Sequence, residues 1–356
     1  GILTARGGMT SHAAVVARGW GKPCVVGCGD MFVNERDRTV RFQGSDAKFK
    51  EGDVISLDGD EGLVIRGSIP LISAVGDNAD LARVMRWADE TRRIKVLANA
   101  DTPTDAAIAL ANGAEGIGLV RTEHQFFSSP ERLRAMRSMV LAGTDAARTA
   151  ACDRMLPFQR EDFQGIFTAM SGLPVCVRLL DPPLHEFLPP RKSQELDRVA
   201  RDVSSDDKAD KDVGKIIARA ERMREMNPML GMRGCRLGIQ HPCVTAMQSR
   251  AVFEAAKACA AEGIEVKPQI MVPLVATPEE FSHQLAVIRE VYAEVFYEAE
   301  NRVPFEVGAM VETPRAALVV CVGAKFLSLG TNDLTQMTFG FSRDDIGPIL
   351  STYREN

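Results

Sequence analysis

The stretch "QIMVPLVATPEEF" (Gln269–Phe281) decides the fold. Its first half, 269–274, is an apolar run of the length of a buried strand, and its second half reads as a helix start. Thr277 supplies an oxygen for the free N–H groups of the first turn. Pro278 takes the first helical position, where a missing N–H does no harm, and Glu280 completes a capping box. Two more apolar runs end in the same device. "KVLAN" (95–99) leads into "DTPTD", and "FEVGAMVE" (305–312) overlaps "ETPRA". Repeated strand, Thr-Pro, helix units are the mark of parallel βα construction.

Further strand candidates lie between and beyond these: "GIGLV" (116–120), "VCVRLL" (175–180), a short segment at "MRGCRL" (232–237) and "KFLSLG" (325–330). With the first three they make seven. Over residues 91–356 this pattern predicts a (β/α)8 TIM barrel lacking its last strand, an α/β fold. The charged segment 191–225 reads as a solvated loop leading into an amphipathic helix and is given no chemistry.

Residues 1–68 follow another pattern. Short β-rich runs, "CVVGC" (24–28), "TVRF" (39–42), "DVISLDG" (53–59) and "EGLVIRG" (61–67), are separated by Gly and Asp turns. "ILT" (2–4) reads as the middle of a strand, so a small domain that begins partway is expected there. Residues 69–90 are the expected linker. Cys24 and Cys28 are expected to alternate through a buried strand.

Composition bounds the function classes. The 356 residues are 45% hydrophobic and 26% charged, with a net charge of −5, which is a soluble globular balance and not a nucleic-acid footprint. No apolar run approaches the roughly 18 residues of a membrane span. Eight cysteines show no CxxC pair, which points to a reducing, intracellular setting. The cytoplasm is expected, with plastid or glycosome as alternatives.

"ARGGMTSHAAVVARG" (5–19) carries a candidate nucleophile. Thr10 or Ser11 caps a helix that Ala13, Ala14 and Ala17 favour and Gly19 ends. That places His12 in the first turn, where free N–H groups and the positive dipole end attract an anion and keep the imidazole neutral. Gly7 and Gly8 let the backbone approach a bulky group on the ring.

The chemistry of a barrel belongs at the C-terminal ends of its strands. Those ends carry Arg121 in "GLVRTEHQFF", Arg178 and Asp181 in "VRLLDPPLHEFLP", Glu312 in "MVETPRAAL", and Asn332 and Asp333 in "LGTNDLTQ", with Arg343 soon after. Two guanidiniums on neighbouring strands suit a phosphate or carboxylate. Glu312 and Asp333 on successive strands suit a hard cation such as Mg²⁺.

The run "GGMTSHAAVVARGWGKP" closely resembles the phosphohistidine segment of the phosphoenolpyruvate-utilising enzymes. "GAEGIGLVRTEHQFF", "RLLDPPLHEFLP", "NPMLGMRGCRLGI" and "GTNDLTQMTFGFSRDD" resemble their pyruvate phosphate dikinase branch. The resemblance spans nearly the whole chain. It implies a swivelling phosphohistidine (β/β/α) domain followed by the barrel, pivoting near residues 68–80. It implies that His12 carries a phosphoryl group between ATP and pyruvate, in the reaction ATP + phosphate + pyruvate = AMP + diphosphate + phosphoenolpyruvate. Arg121 and Arg178 would hold the phosphate of phosphoenolpyruvate, and Glu312 and Asp333 would ligate Mg²⁺. Gly330, Thr331 and Asn332 would face the substrate carboxylate, and Arg343 would assist at the phosphoryl group. Thr10 matches a regulatory phosphorylation position, although its role from the residues is a helix cap.

The alternatives are a phosphoenolpyruvate synthase and an enzyme I-like phosphocarrier. No nucleotide domain and no Cys-Gly-x-His segment is seen in the chain. The expectation is therefore a central-to-C-terminal piece of a larger enzyme, inactive alone, with ATP bound by a domain absent from this chain and the full-length enzyme a homodimer.

Overall fold

A computed structural model describes residues 1–8, 11–19, 21–70, 79–206, 211–297, 302–319, 323–342, 346, 349–350 and 353. Two units follow one another, Gly1–Arg93 and Ile94–Asn356.

In the first unit, β1 (Ile2–Leu3) pairs in parallel with β2 (Cys24–Val25), and α1 (His12–Gly19) crosses between them. Ser11 Oγ accepts the Ala14 N–H at 3.4 Å, so the serine of the two candidate caps starts the helix. Thr10 lies outside the described residues, as does the side chain of His12. Ala14 and Ala17 are the buried face of α1, small enough to bring the helix close to the strands. Cys28 lies past the end of β2, contrary to the expected alternation. Gly27 breaks the strand at φ +71°, where a Cβ would stand 2.5 Å from Gly7 O. An antiparallel sheet of β3 (Met31–Asn34), β4 (Thr39–Phe42) and β5 (Lys48–Lys50) follows, then the hairpin of β6 (Ile55–Asp58) and β7 (Leu63–Arg66). Helix α2 (Ala79–Thr91) ends the unit and buries none of its residues.

The second unit is built on one parallel sheet. Its strands are β8 (Ala98–Asn99), β9 (Ile117–Arg121), β10 (Pro174–Arg178), β11 (Lys267–Val275), β12 (Glu306–Val311) and β13 (Leu327–Leu329), and their spatial order is their chain order. That arrangement is the run of a (β/α) barrel, with six strands among the described residues. The helices between strands are α3 (Pro103–Ala111), α4 (Pro130–Leu141), α5 (Asp145–Ala169), α6 (Gln194–Asp206), α7 (Val213–Arg222), α8 (Cys235–Gln240), α9 (Pro242–Ala261), α10 (Pro278–Val295), α11 (Pro314–Val319) and, after the last strand, α12 (Thr331–Phe339).

All three Thr-Pro devices form. Thr102 accepts the Asp105 N–H at 3.1 Å, Thr313 the Ala316 N–H at 3.1 Å, and Thr277 the Glu280 N–H at 3.3 Å within a complete capping box. The segment at 232–237 is not a strand. Gly234 takes φ +56°, and α8 begins immediately after it, so six strands stand where seven were expected. The charged stretch 191–225 is not mainly loop either. Its helices α6 and α7 bury Leu196, Val199, Ala200, Val203, Ile216 and Ala220 against the face of α4, leaving the charges outside.

Ile117, Val120, Val175, Val177, Ile270, Val272, Ala309 and Val311 from the strands, with Phe163, Phe167, Phe253 and Phe281 from the helices, form one core. Strands covered by helices read as continuous apolar runs because both faces lose contact with water. Each fully buried side chain of this size stabilises the fold by about 1.5–3 kcal/mol. This core fixes where the strands end, and the polar residues begin there.

Candidate active site

Arg121 and Arg178 are register partners on β9 and β10, each the last residue of its strand. Their surroundings differ. Arg178 is mostly covered, its side chain 12% exposed, with Nη2 2.5 Å from Glu123 Oε1 and Nη1 3.0 Å from Asp181 Oδ2. Burial opposes its charge, but Glu123, Asp181 and Glu312 outweigh burial and hold the guanidinium protonated. Arg178 Nε and Glu123 Oε2 are buried without a hydrogen-bond partner. Arg121 is half-buried and touches only the edge of an ion pair, its Nη1 4.0 Å from Asp101 Oδ2. Its backbone N–H is held at 2.7 Å by Asp101 Oδ1, while His124 Nδ1 lies 2.7 Å from Asp101 Oδ2.

A third guanidinium, Arg233, joins the cluster. It contacts Asp181 through Nη2 at 2.9 Å and Nε at 3.3 Å, and Asp333 Oδ2 through Nη2 at 3.1 Å. The last contact lies off the hydrogen-bonding direction, so Asp333 Oδ2 has an ionic neighbour but no hydrogen bond. Glu312, one residue past β12, accepts the Leu274 N–H on Oε2 at 2.8 Å. Leu274 presents that N–H from φ +56°, a conformation that L residues adopt at a cost. Gly330 follows β13, and a Cβ there would come within 2.3 Å of Glu312 Cγ. Thr331 and Asn332 open α12 on the exposed side, and Asp333 is buried behind them.

The electrostatics of the cluster are lopsided. Four buried carboxylates, Glu123, Asp181, Glu312 and Asp333, face the buried guanidinium of Arg233 and that of Arg178, whose side chain is 12% exposed. Burial pushes Glu312 up to about 7, with Asp181 and Asp333 adding repulsion. Burial also raises Asp333, against the pull of Arg233. Among the described residues no three His, Cys, Asp or Glu side chains converge as a ligand cage. A surplus of two carboxylates, one with an oxygen lacking a hydrogen bond, does fit Mg²⁺. That ion characteristically takes one or two protein carboxylates and fills its remaining positions with water and substrate oxygens.

The geometry thus brings together Arg121, Arg178, Glu312, Gly330, Thr331, Asn332 and Asp333 at one set of strand ends. His12 has its backbone at the start of α1 in the other unit, and Arg343 lies outside the described residues. The sequence reading missed the roles of Glu123, Asp101 and above all Arg233. Its signal was an arginine followed by a glycine inside an otherwise apolar segment.

A family model described as PEP-utilising enzyme, PEP-binding domain matches residues 76–354, and one described as PEP-utilising enzyme, mobile domain matches residues 1–62. Pyruvate, phosphate dikinase 2 of Oryza sativa subsp. japonica is 55% identical over 99% of this chain and 39% of its own length. The Zea mays protein of the same name is 54% identical over 99% of this chain and 39% of its own length. Pyruvate, phosphate dikinase, chloroplastic, of Flaveria pringlei is 54% identical over 99% and 36%. The chain therefore spans less than two fifths of the length of these relatives.

Proposed function

This chain belongs to the PEP-utilising enzymes, and from that premise we propose that it transfers a phosphoryl group between a phosphohistidine and pyruvate or phosphoenolpyruvate. The observation that carries the reading is the pairing of Arg121 with Arg178 at the strand ends that also hold Glu312 and Asp333. In the full-length protein the reaction would be ATP + phosphate + pyruvate = AMP + diphosphate + phosphoenolpyruvate, in keeping with relatives named pyruvate, phosphate dikinase. Residues 1–68 would be the swivelling domain, 69–90 the linker and 91–356 the substrate barrel. A nucleotide domain beyond this chain would bind ATP, and the full-length enzyme would be a homodimer. A plastid setting follows the relatives named chloroplastic.

In the direction of pyruvate formation, an imidazole nitrogen of His12 attacks the phosphorus of phosphoenolpyruvate. The N–P bond forms as the P–O bond to the enolate breaks, and the enolate then takes a proton at carbon. Arg121 and Arg178 grip the phosphoryl oxygens, where fixed cations meet the charge on the moving group. Arg343 lies in the same role by sequence. Gly330, Thr331 and Asn332 face the substrate carboxylate. Glu312 and Asp333 would hold Mg²⁺, which would supply positive charge to offset that building on the substrate oxygens. Thr10, next to this histidine segment, is the candidate site of regulatory phosphorylation.

The test is phosphoryl labelling. Full-length protein given Mg²⁺ and phosphoenolpyruvate with labelled phosphate is expected to carry an acid-labile, base-stable label that His12→Ala abolishes. Label that survives in that variant would refute the assignment.

A further inference from the structure

Behind the strand ends, a chain of buried side chains joins elements far apart in sequence. Gln248 on α9 is its node. Its Oε1 accepts the Leu180 N–H at 2.8 Å, and its Nε2 donates to Thr122 Oγ1 at 3.0 Å and to Gln159 Oε1 at 3.3 Å. Thr122 Oγ1 donates onward to the carbonyl of Arg178 at 3.1 Å. In the other direction Gln159 Nε2 donates to Gln125 Oε1 at 3.1 Å, and Gln125 Nε2 to the carbonyl of Asp101 at 3.3 Å. Asp101 is the residue whose carboxylate holds the Arg121 N–H.

The polarity of this chain is fixed from one end. A backbone N–H can only donate, so Leu180 forces Gln248 to present its oxygen there and its two amide hydrogens elsewhere. One hydrogen fills an acceptor position of Thr122, leaving the threonine proton for Arg178 O. The other orients Gln159, which orients Gln125. Thr122, Gln125, Gln159 and Gln248 are all buried, so water does not replace a lost bond and an abandoned partner stays unsatisfied.

A second observation shows why side chains are needed here. The backbone register shifts between Val175 and Val177 where β9 meets β10, and between Ala98 and Asn99 where β8 meets β9. The regular ladder is interrupted just before the ends that carry the arginines. Pairing resumes only at Val177↔Val120 and Arg178↔Arg121, so the side-chain bonds brace ends that a short stretch of ladder holds.

We infer that Gln248 is a positioning residue for phosphoryl transfer: its carboxamide ties the ends of β8, β9 and β10 together and so fixes how Arg121 and Arg178 face the phosphoryl group. The inference rests on the function proposed above. Gln248 touches neither arginine side chain; it acts through their backbones, by way of Thr122 and of Gln159, Gln125 and Asp101.

The experiment compares two glutamines in the full-length enzyme. Gln284 on α10 is as buried as Gln248 and accepts from Thr245 Oγ1 at 2.6 Å, but it has no hydrogen bond to a strand end. Gln248→Met and Gln284→Met remove the same amide and keep similar volume, and both are expected to lower Tm. Misplacing a binding group by an ångström costs roughly 100-fold in rate, so kcat should fall about 10- to 100-fold in Gln248→Met and stay within about twofold in Gln284→Met. Thr122→Val, a milder change, should lower kcat in the same sense and combine non-additively with Gln248→Met. It alone carries the test if the latter does not fold. A kcat in the Gln248 or Thr122 variant equal to that of Gln284→Met overturns the inference. Arg178→Lys separates the two readings: if it leaves phosphoenolpyruvate-dependent labelling of His12 intact, the proposed function fails first. If it abolishes labelling while the relay variants behave like Gln284→Met, only the role of Gln248 falls.

Discussion

Arg233 Nη2 stands 3.1 Å from Asp333 Oδ2 and 2.9 Å from Asp181 Oδ2, so one nitrogen joins carboxylates that follow two different strands. Removing it leaves two buried carboxylates with less compensation. Breaking a buried ion pair from one side costs about 3–5 kcal/mol, and Arg233→Met should lose that much in urea unfolding. Burial already raises Asp333 against the pull of Arg233, so losing the arginine raises it further. The site of the variant is also more negative by one charge, so Mg²⁺ titration should show tighter binding. An unchanged Mg²⁺ affinity would show that Arg233 serves structure alone.

Glu312 gives the metal-free protein a pH dependence with a definite sign. Its carboxyl sits at about 7 when folded, above the 4.5 of an exposed glutamate, with burial the main cause. The folded state therefore binds more protons than the unfolded state between these limits. The contribution of Glu312 to stability is fully present below 4.5 and is lost as pH rises through about 7. Over that window it changes by about 1.4 kcal/mol per pH unit. Glu312→Gln should flatten the urea-unfolding profile there and stabilise the metal-free protein at pH 8. A cation must displace the same proton, so the apparent Mg²⁺ affinity of the unmodified protein should rise about tenfold per pH unit below 7 and level off above it.

Much of this site is legible in local signals, because they lie within a few residues of one another. The Thr277–Glu280 capping box is encoded in four consecutive positions, and Arg121, Arg178 and Glu312 fall where apolar runs stop. Arg233 is not legible in that way. "MRGCRL" alternates like a strand, and only tertiary packing shows otherwise. A Cβ on Gly234 would lie 2.7 Å from Leu274 Cβ, a neighbour 40 positions away in sequence. The first helix of 191–225, where a loop leading into a helix is expected, is hidden for a different reason. Leu196, Val199, Ala200 and Val203 follow the helical period, but the surrounding charge reads as solvated loop. The glutamine relay is invisible in sequence because each of its bonds spans at least 24 positions.

Gly330 tests how tightly Glu312 is seated. Its φ is −79°, so alanine is compatible with the backbone, and at an open position the exchange would stabilise the fold by about 0.4–1 kcal/mol. Here the added Cβ meets Glu312 Cγ at 2.3 Å and Oε1 at 2.7 Å. The carboxylate must move, and Gly330→Ala should instead lose about 1–3 kcal/mol, the usual cost of overpacking. Turnover should fall with it, and Mg²⁺ affinity too. Urea unfolding and Mg²⁺ titration check both. A stabilised variant would mean that Glu312 has room to spare.

Arg121 and Arg178 occupy equivalent register positions but should respond differently to truncation. Arg178 is the cation between Glu123 and Asp181, both buried, so Arg178→Ala leaves them facing each other and Glu312 with one positive charge fewer. It should destabilise the protein by about 3–5 kcal/mol as well as abolish turnover. Arg121 is a third exposed at its side chain, and its closest carboxylate contact is 4.0 Å. An exposed pair of that kind contributes about 0–1 kcal/mol, so Arg121→Ala should unfold almost where the unmodified protein does. Its loss should appear in catalysis instead, as a drop in kcat/KM for phosphoenolpyruvate of about 10²-fold or more, the scale of one removed charge-stabilising donor. Urea midpoints and steady-state kinetics on the two full-length variants separate these outcomes. If Arg121→Ala lowered stability as much as Arg178→Ala while sparing turnover, Arg121 would be a structural cation and the paired grip on the phosphoryl group would be wrong.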